Sequence, residues 1–144
     1  MEQFEDESAG EMPADAVVSA ARTGLGDQLR SVVHFTPSGF DVLYLRRDLY
    51  ESSAEAVEAK GRLVEIERVG FAERPVRDAV AAPEVTDGIG PYEFTVRFHE
   101  GGFVVRVLEG DHGVLFTADE MDVRAFEEIA STVRRLLASR RSPV

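Results

Sequence analysis

Tyr92-Glu93-Phe94-Thr95-Val96-Arg97-Phe98-His99-Glu100-Gly101-Gly102-Phe103-Val104-Val105-Arg106-Val107-Leu108-Glu109-Gly110-Asp111-His112-Gly113-Val114-Leu115-Phe116-Thr117 carries the strongest periodic signal in the chain. Tyr92, Phe94, Val96 and Phe98 alternate with Glu93, Thr95, Arg97 and His99. A period of two gives a strand one apolar and one polar face, so residues 92–99 read as a half-buried strand. Glu100-Gly101-Gly102 turns the chain, and Phe103 to Glu109 returns with Phe103, Val105 and Val107 on one face. Gly110-Asp111-His112-Gly113 is a second tight turn, leading into Val114–Thr117. Short glycine turns join antiparallel neighbours, so the segment predicts a three-stranded meander.

On its carboxy side, Thr117 with Glu120 forms a capping box, and Asp119 and Asp122 suit the positive end of a helix dipole. Met121, Ala125, Ile129, Val133, Leu136 and Leu137, with Phe126 beside them, predict the buried stripe of a final helix. On the amino side, Ser52 and Glu55 open a helix over 52–69, with Ala56, Ala59, Leu63 and Ile66 as its periodic apolar positions, flanked by Val57 and Val64. Gly70 reads as its end. Between Phe71 and Pro91 the signals are mixed: Pro75 can open a short helix through Val80, whereas Pro83, Gly88, Gly90 and Pro91 favour a loop. Further upstream, Leu29–Thr36 and Phe40–Arg46 flank the turn sequence Thr36-Pro37-Ser38-Gly39 and form a hairpin. Pro13, followed by Ala14, Val17, Val18 and Ala21, starts a first helix that Gly24 and Gly26 close.

The predicted order is α-β-β-α-β-β-β-α, an α+β fold with helices packed on a single antiparallel five-stranded sheet. The first hairpin is apolar on both faces, with Val33, Phe35, Phe40, Val42 and Tyr44 on one and Val32, Leu43 and Leu45 on the other, so helices should cover both sides. This succession over residues 14–138 resembles the roadblock and profilin-like architecture. The resemblance implies a small dimeric regulator, often of GTPases, without catalytic residues of its own. Leu43-Tyr44-Leu45-Arg46-Arg47-Asp48, Glu73-Arg74-Pro75-Val76, the meander and the final helix also look like a family of small acidic proteins of halophilic archaea. That similarity, over residues 30–138, implies a single domain with a salt-adapted surface and implies no reaction.

At 144 residues the chain fits one domain, and 44% hydrophobic residues suffice for a packed core. The expected layout is an acidic, solvated tail over 1–12, a domain over 13–140 and a short tail over 141–144. Glu2, Glu5, Asp6, Glu7, Glu11 and Asp15 carry much of the net charge of −11, and without them residues 16–144 stand at −5. Such a balance argues against a general nucleic-acid binder, which needs a basic surface for phosphates. Lys60 is the only lysine beside 15 arginines, and asparagine is absent. Acid-rich, lysine-poor surfaces suit concentrated salt, although a GC-rich genome favours the same residues. The acidic amino end is unlike a secretory signal, no apolar run approaches a membrane span, and the carboxy end has no lipidation cysteine. A cytoplasmic location is expected.

Few residues offer chemistry. Without cysteine there is no disulfide, thiol nucleophile or zinc-thiolate site. His34 falls in a strand, His99 at a strand end and His112 in a turn, and successive meander turns lie at opposite ends of the sheet, which separates His99 from His112. Gly24-Leu25-Gly26 and Gly88-Ile89-Gly90 lack the strand–loop–helix setting of a phosphate cradle. Ser31, Ser38, Ser52 and Ser53 have strand, turn or cap roles. Arg134, Arg135, Arg140 and Arg141 complement a helix dipole, and Arg46-Arg47-Asp48 suggests an ion pair within the chain. No catalytic, cofactor-binding or metal-ligating residue is assigned, and no cofactor is expected. The expected function is a non-enzymatic protein-interaction or regulatory module. Its partner is a protein or a second copy, with neither nucleic acid nor membrane, and a homodimer would form through an exposed apolar face of the sheet or of helix 52–69. The alternative is a small-ligand sensor using the concave sheet face, with Phe94, Phe98, Phe103 and Tyr44 against the ligand.

Overall fold

Residues 12–80 and 87–139 are described by a computed structural model. Helix α1 (Ala14–Leu25) ends at Gly26, whose φ of +56° is a conformation that favours glycine. A single 3₁₀ turn, Gly26–Gln28, leads into β1 (Leu29–Phe35). The hairpin partner is β2 (Phe40–Leu45), and the Thr36 amide closes the turn on the Gly39 carbonyl at 2.9 Å. Helices α2 (Ser53–Glu67) and α3 (Val69–Ala79) follow, then β3 (Thr95–His99), β4 (Gly102–Glu109), β5 (His112–Ala118) and α4 (Val123–Ser139).

The five strands form one antiparallel sheet in the order β2-β1-β5-β4-β3. The predicted meander and hairpin are both present, and pairing of β1 with β5 joins them. Helices α1 and α4 cover one face, where Val17, Ala21, Phe126, Ile129 and Val133 pack against Val32, Val105, Val107 and Phe116. On the other face Val64 of α2 packs with Val33, Phe35, Val104 and Leu115, and Phe40, Leu63 and Phe71 lie at the margin. Helices on both sides explain why the hairpin is apolar on both faces.

Several local expectations are corrected. Gly24 lies inside α1, where a Cβ would stand 2.8 Å from Ile129, so it permits close approach of α1 and α4 and is not a cap. A bulge between Val32 and Val33 leaves Leu43 without a partner and moves Tyr44 to the α1–α4 side, away from Phe40 and Val42. The predicted strand from Tyr92 begins only at Thr95. Helix α4 is capped by Asp122, whose Oδ1 accepts from the Ala125 amide at 3.0 Å. Thr117 stays in β5, and Met121 is exposed ahead of the helix. Helix α2 buries Ala56, Lys60, Val64 and Glu67; of the predicted stripe Ala56 is buried, Ala59 and Leu63 are half-buried, and Ile66 points outward. The chain breaks at Arg68 and resumes as α3, with both Gly70 and Pro75 inside the helix. Met12 packs on the core, whereas the rest of the expected 1–12 tail, the 141–144 tail, Pro83, Arg140 and Arg141 lie outside the described residues.

Gly113 faces Phe35 in the β1–β5 register, and a Cβ on it would overlap the Phe35 ring and stand 2.9 Å from Leu108. The Phe35 ring is fully buried and has nowhere to move. Gly113→Ala is therefore expected to destabilise the fold by about 1–3 kcal/mol in urea denaturation. A loss below about 0.5 kcal/mol would show that the core yields there.

Candidate interaction face and the polar sites behind it

Because α2 turns polar residues inward, apolar ones face out. Ile66 is 61% exposed and Val76 65%, and Val57, Val69 and Val80 are also exposed. Ile66, Val69, Val76 and Val80 recur at helical spacing across the Arg68 break. Ala72, Glu73, Val76, Arg77 and Val80 line a shallow cleft of about 390 Å³ on this face. Beyond it, β3 is an edge strand with one side unpaired among the described residues, and its Phe98, 79% exposed, stacks on Phe103 with centroids 5.0 Å apart. Phe94, Phe103 and Tyr44, three of the four aromatics expected to line a concave face, pack against the α1–α4 core.

A buried ionic network ties the helix pair to the sheet. Glu67, fully buried, accepts from Arg97 Nε at 2.5 Å and from Arg106 Nη1 at 3.3 Å. Arg106, 2% exposed, donates through Nη2 to Glu73 Oε1 and Thr95 Oγ1, each at 3.1 Å, and to the Tyr92 hydroxyl at 3.4 Å. Gly70 makes room for it, since a Cβ there would stand 2.6 Å from Arg106 Cζ. None of these residues was expected in a site. The available signals were Arg106 between Val105 and Val107, and Glu67 one helical turn beyond Val64.

The second polar cluster lies where β1 begins and β5 ends. Arg46 donates from Nε to Asp48 Oδ1 and from Nη1 to Asp119 Oδ2, both at 2.7 Å, and Arg30 Nη1 donates to Asp119 Oδ1 at 2.9 Å. The expected Arg46–Asp48 pair is present, and Asp119, expected at a helix terminus, joins it instead. Hydrogen bonds from Arg46 hold both Asp48 and Asp119 below the usual carboxylate range and raise Arg46. Nearby, Lys60 on the inner face of α2 is only 6% exposed and has its ammonium 5.9 Å from the centre of the Tyr50 ring. Burial, with Arg30's charge adding to it, lowers Lys60 from 10.5 to about 8. Lys60, Arg30, Tyr50, Leu63, His99, Phe103, Val104 and Thr117 are among the residues lining a cavity of about 320 Å³.

His34 and His112 meet, which the sequence did not suggest. His34 Nε2 and His112 Nδ1 are 2.8 Å apart, and the rings stack with centroids at 5.0 Å. Pairing of β1 with β5 sets His34 opposite Val114, two residues from His112. His99 lies apart from that pair, at the Lys60 cavity. Among the described residues, no three or more of His, Cys, Asp and Glu gather as a metal site requires. The serines take local roles: Ser31 Oγ and Thr117 Oγ1 share a hydrogen bond of 2.6 Å, Ser38 donates its amide to Thr36 Oγ1, and Ser52 accepts from the Glu55 amide. Gly88 and Gly90 have positive φ, as turns require. Arg134 binds the Glu93 carbonyl and carboxylate at 2.8 and 2.9 Å, and Arg135 binds Ser131.

Residues 15–138 match the family described as "Domain of unknown function (DUF7522)". No curated protein matches the sequence. Solved structures of similar fold include the gliding protein MglB from Thermus thermophilus, 13% identical, with 89% of this chain and 93% of that chain covered at a TM-score of 0.51. A second, MglB with a tetrameric arrangement, is 15% identical over 94% of this chain and 95% of that chain, at a TM-score of 0.50. At these identities the likeness shows the fold, and it bears out the expected roadblock-like topology.

Proposed function

The chain belongs to the DUF7522 family, and we propose that it is a non-enzymatic protein-interaction or regulatory module that works as a homodimer. The observation that carries this reading is the exposed apolar stripe of Ile66, Val69, Val76 and Val80, set on two helices that a buried ionic network holds to the sheet. An apolar face of this kind is a docking surface when a partner covers it. The open edge of β3 beside it adds backbone groups that a second copy can pair. One similar structure, MglB, is tetrameric, so the fold supports self-association in that protein.

The same reading places the working unit in residues 13–140, with the acidic amino-terminal tail and the short carboxy-terminal tail outside it, in the cytoplasm of a halophile. Its acid-rich, lysine-poor composition supports concentrated salt as the solvent. Neither nucleic acid nor membrane is a partner in this reading, and among the described residues no helix is long and apolar enough to cross a membrane.

Light scattering of the full chain in concentrated salt is expected to give a dimer mass. Ile66→Glu combined with Val76→Glu should give a monomer with an unchanged circular dichroism spectrum, because both side chains already face solvent in the single chain. A wild-type chain that stays strictly monomeric and captures no partner contradicts the proposal.

A further inference from the structure

The polar cluster around Arg30 holds one more positive charge than it can pair. Arg30 and Arg46 share Asp119, and Arg46 also holds Asp48, so the two arginines take both carboxylates while Lys60 lies beside Arg30 at the same cavity. Lys60 is left without a hydrogen-bonding or ionic partner among the described residues, although it is only 6% exposed and its chain carries a net charge of −11. A buried ammonium without a counterion is costly, and an anion beside it removes that cost. The cavity that Lys60 lines is divided in character. Lys60, Arg30 and Thr117 supply its polar part, and Leu63, Phe103 and Val104 its apolar part. The Thr117 hydroxyl shares one hydrogen bond with Ser31, so that pair of hydroxyls has a second hydrogen to donate. At about 320 Å³ the space is that of a small ligand site.

We propose that this cavity, between α2 and the β3–β4 turn, binds a small organic monocarboxylate. The carboxylate lies between Lys60 and Arg30, and the apolar body rests against Leu63, Phe103 and Val104. Charge selects the class: of the arginine and lysine lining the cavity, Arg30 already has Asp119, so Lys60 leaves one positive charge for one carboxylate, whereas a phosphate dianion brings two negative charges. His99 and Gly101, at the rim of the cavity, are exposed, and none of the exposed apolar residues Val57, Ile66, Val69, Val76 and Val80 lines it. Occupancy and dimer formation are thus separate properties, and either can fail alone.

Lys60 is the only lysine, so the full chain labelled with ¹³C-lysine gives a single side-chain Cε signal. Benzoate is expected to move that signal saturably and to raise the Lys60 midpoint from about 8. It should bind at least about tenfold more tightly than neutral benzamide, and lose about tenfold in affinity per pH unit above that midpoint. Calorimetry with Lys60→Met should show benzoate binding weakened by about tenfold or more, with circular dichroism reporting that the variant is folded. The proposal is overturned if benzoate leaves the wild-type signal unmoved, or if Lys60→Met binds benzoate as tightly as wild type. It is equally overturned if inorganic phosphate or benzamide moves the signal at lower concentration than benzoate does.

Discussion

Glu67→Gln is expected to lower the unfolding free energy by about 3–5 kcal/mol, the effect of breaking a buried ion pair by removing one partner. Glutamine has nearly the shape of glutamate and can still accept through its oxygen, so the change isolates the charge. Arg106, 2% exposed, would then stay ionised with only Glu73, a half-exposed carboxylate, to balance it. Arg97 would lose its carboxylate as well. The loss corresponds to a fall in melting temperature of roughly 10–20 °C for a chain of this size. Changing Glu67 and Arg106 together to leucine should recover much of that loss, because the desolvation cost disappears along with the attraction. If Glu67→Gln costs less than about 1 kcal/mol, water reaches Arg106 and the network does not hold α2 and α3 to the sheet. The consequence extends to function: hydrogen exchange should rise first in α2 and α3, and the proposed dimer should weaken in the same variant, since its apolar stripe spans both helices.

How much of this is legible in the sequence depends on how local the cause is. Alternation along residues 95–109 and the apolar spacing of Ala125, Ile129 and Val133 are properties of single segments, and both are recovered with the right faces. The α+β order follows from them. The Asp122 cap is harder, because Thr117 is also a competent capping residue. Its pairing with Ser31 across β1 and β5 keeps it in the sheet. Tyr44 changes face through a bulge that no side-chain pattern marks. His34 and His112 lie 78 residues apart and meet only because β1 pairs with β5, a choice made by the whole sheet.

Helix α2 shows the deepest reason for a miss. Reading apolar residues as buried selects Ala56, Ala59, Leu63 and Ile66, and leaves Lys60 and Glu67 out of the stripe. The structure buries the charged pair of positions and exposes Ile66. Glu67 goes inside because Arg97 and Arg106 arrive from strands 30 and 39 residues further on. Hydrophobic periodicity contains no information about such partners. The exposed stripe follows from the same inversion, so the interaction face becomes visible only once the buried network is known.

Lys60→Met is expected to do the opposite of Glu67→Gln and stabilise the protein at neutral pH. Met is similar in length, apolar and flexible enough to fill the space of the lysine stem. In the folded chain burial lowers Lys60 from 10.5 to about 8, so between those values the unfolded chain binds more protons than the folded one. Stability of the wild type therefore rises with pH across that window. Below about pH 8 the cost of the buried charge is fully present, and at 1.36 kcal/mol per pKa unit it amounts to about 3 kcal/mol. The advantage of Lys60→Met should thus be largest at pH 7 and shrink as pH rises toward 10.5, which urea denaturation at a series of pH values measures. Equal stability of the two proteins at pH 7 would mean that the ammonium already has a counterion or water in the apo chain. A stabilisation of the expected size means that the fold retains a residue that weakens it. Benzoate should then narrow the difference between the two proteins at pH 7, because it binds the folded wild type more tightly than the variant.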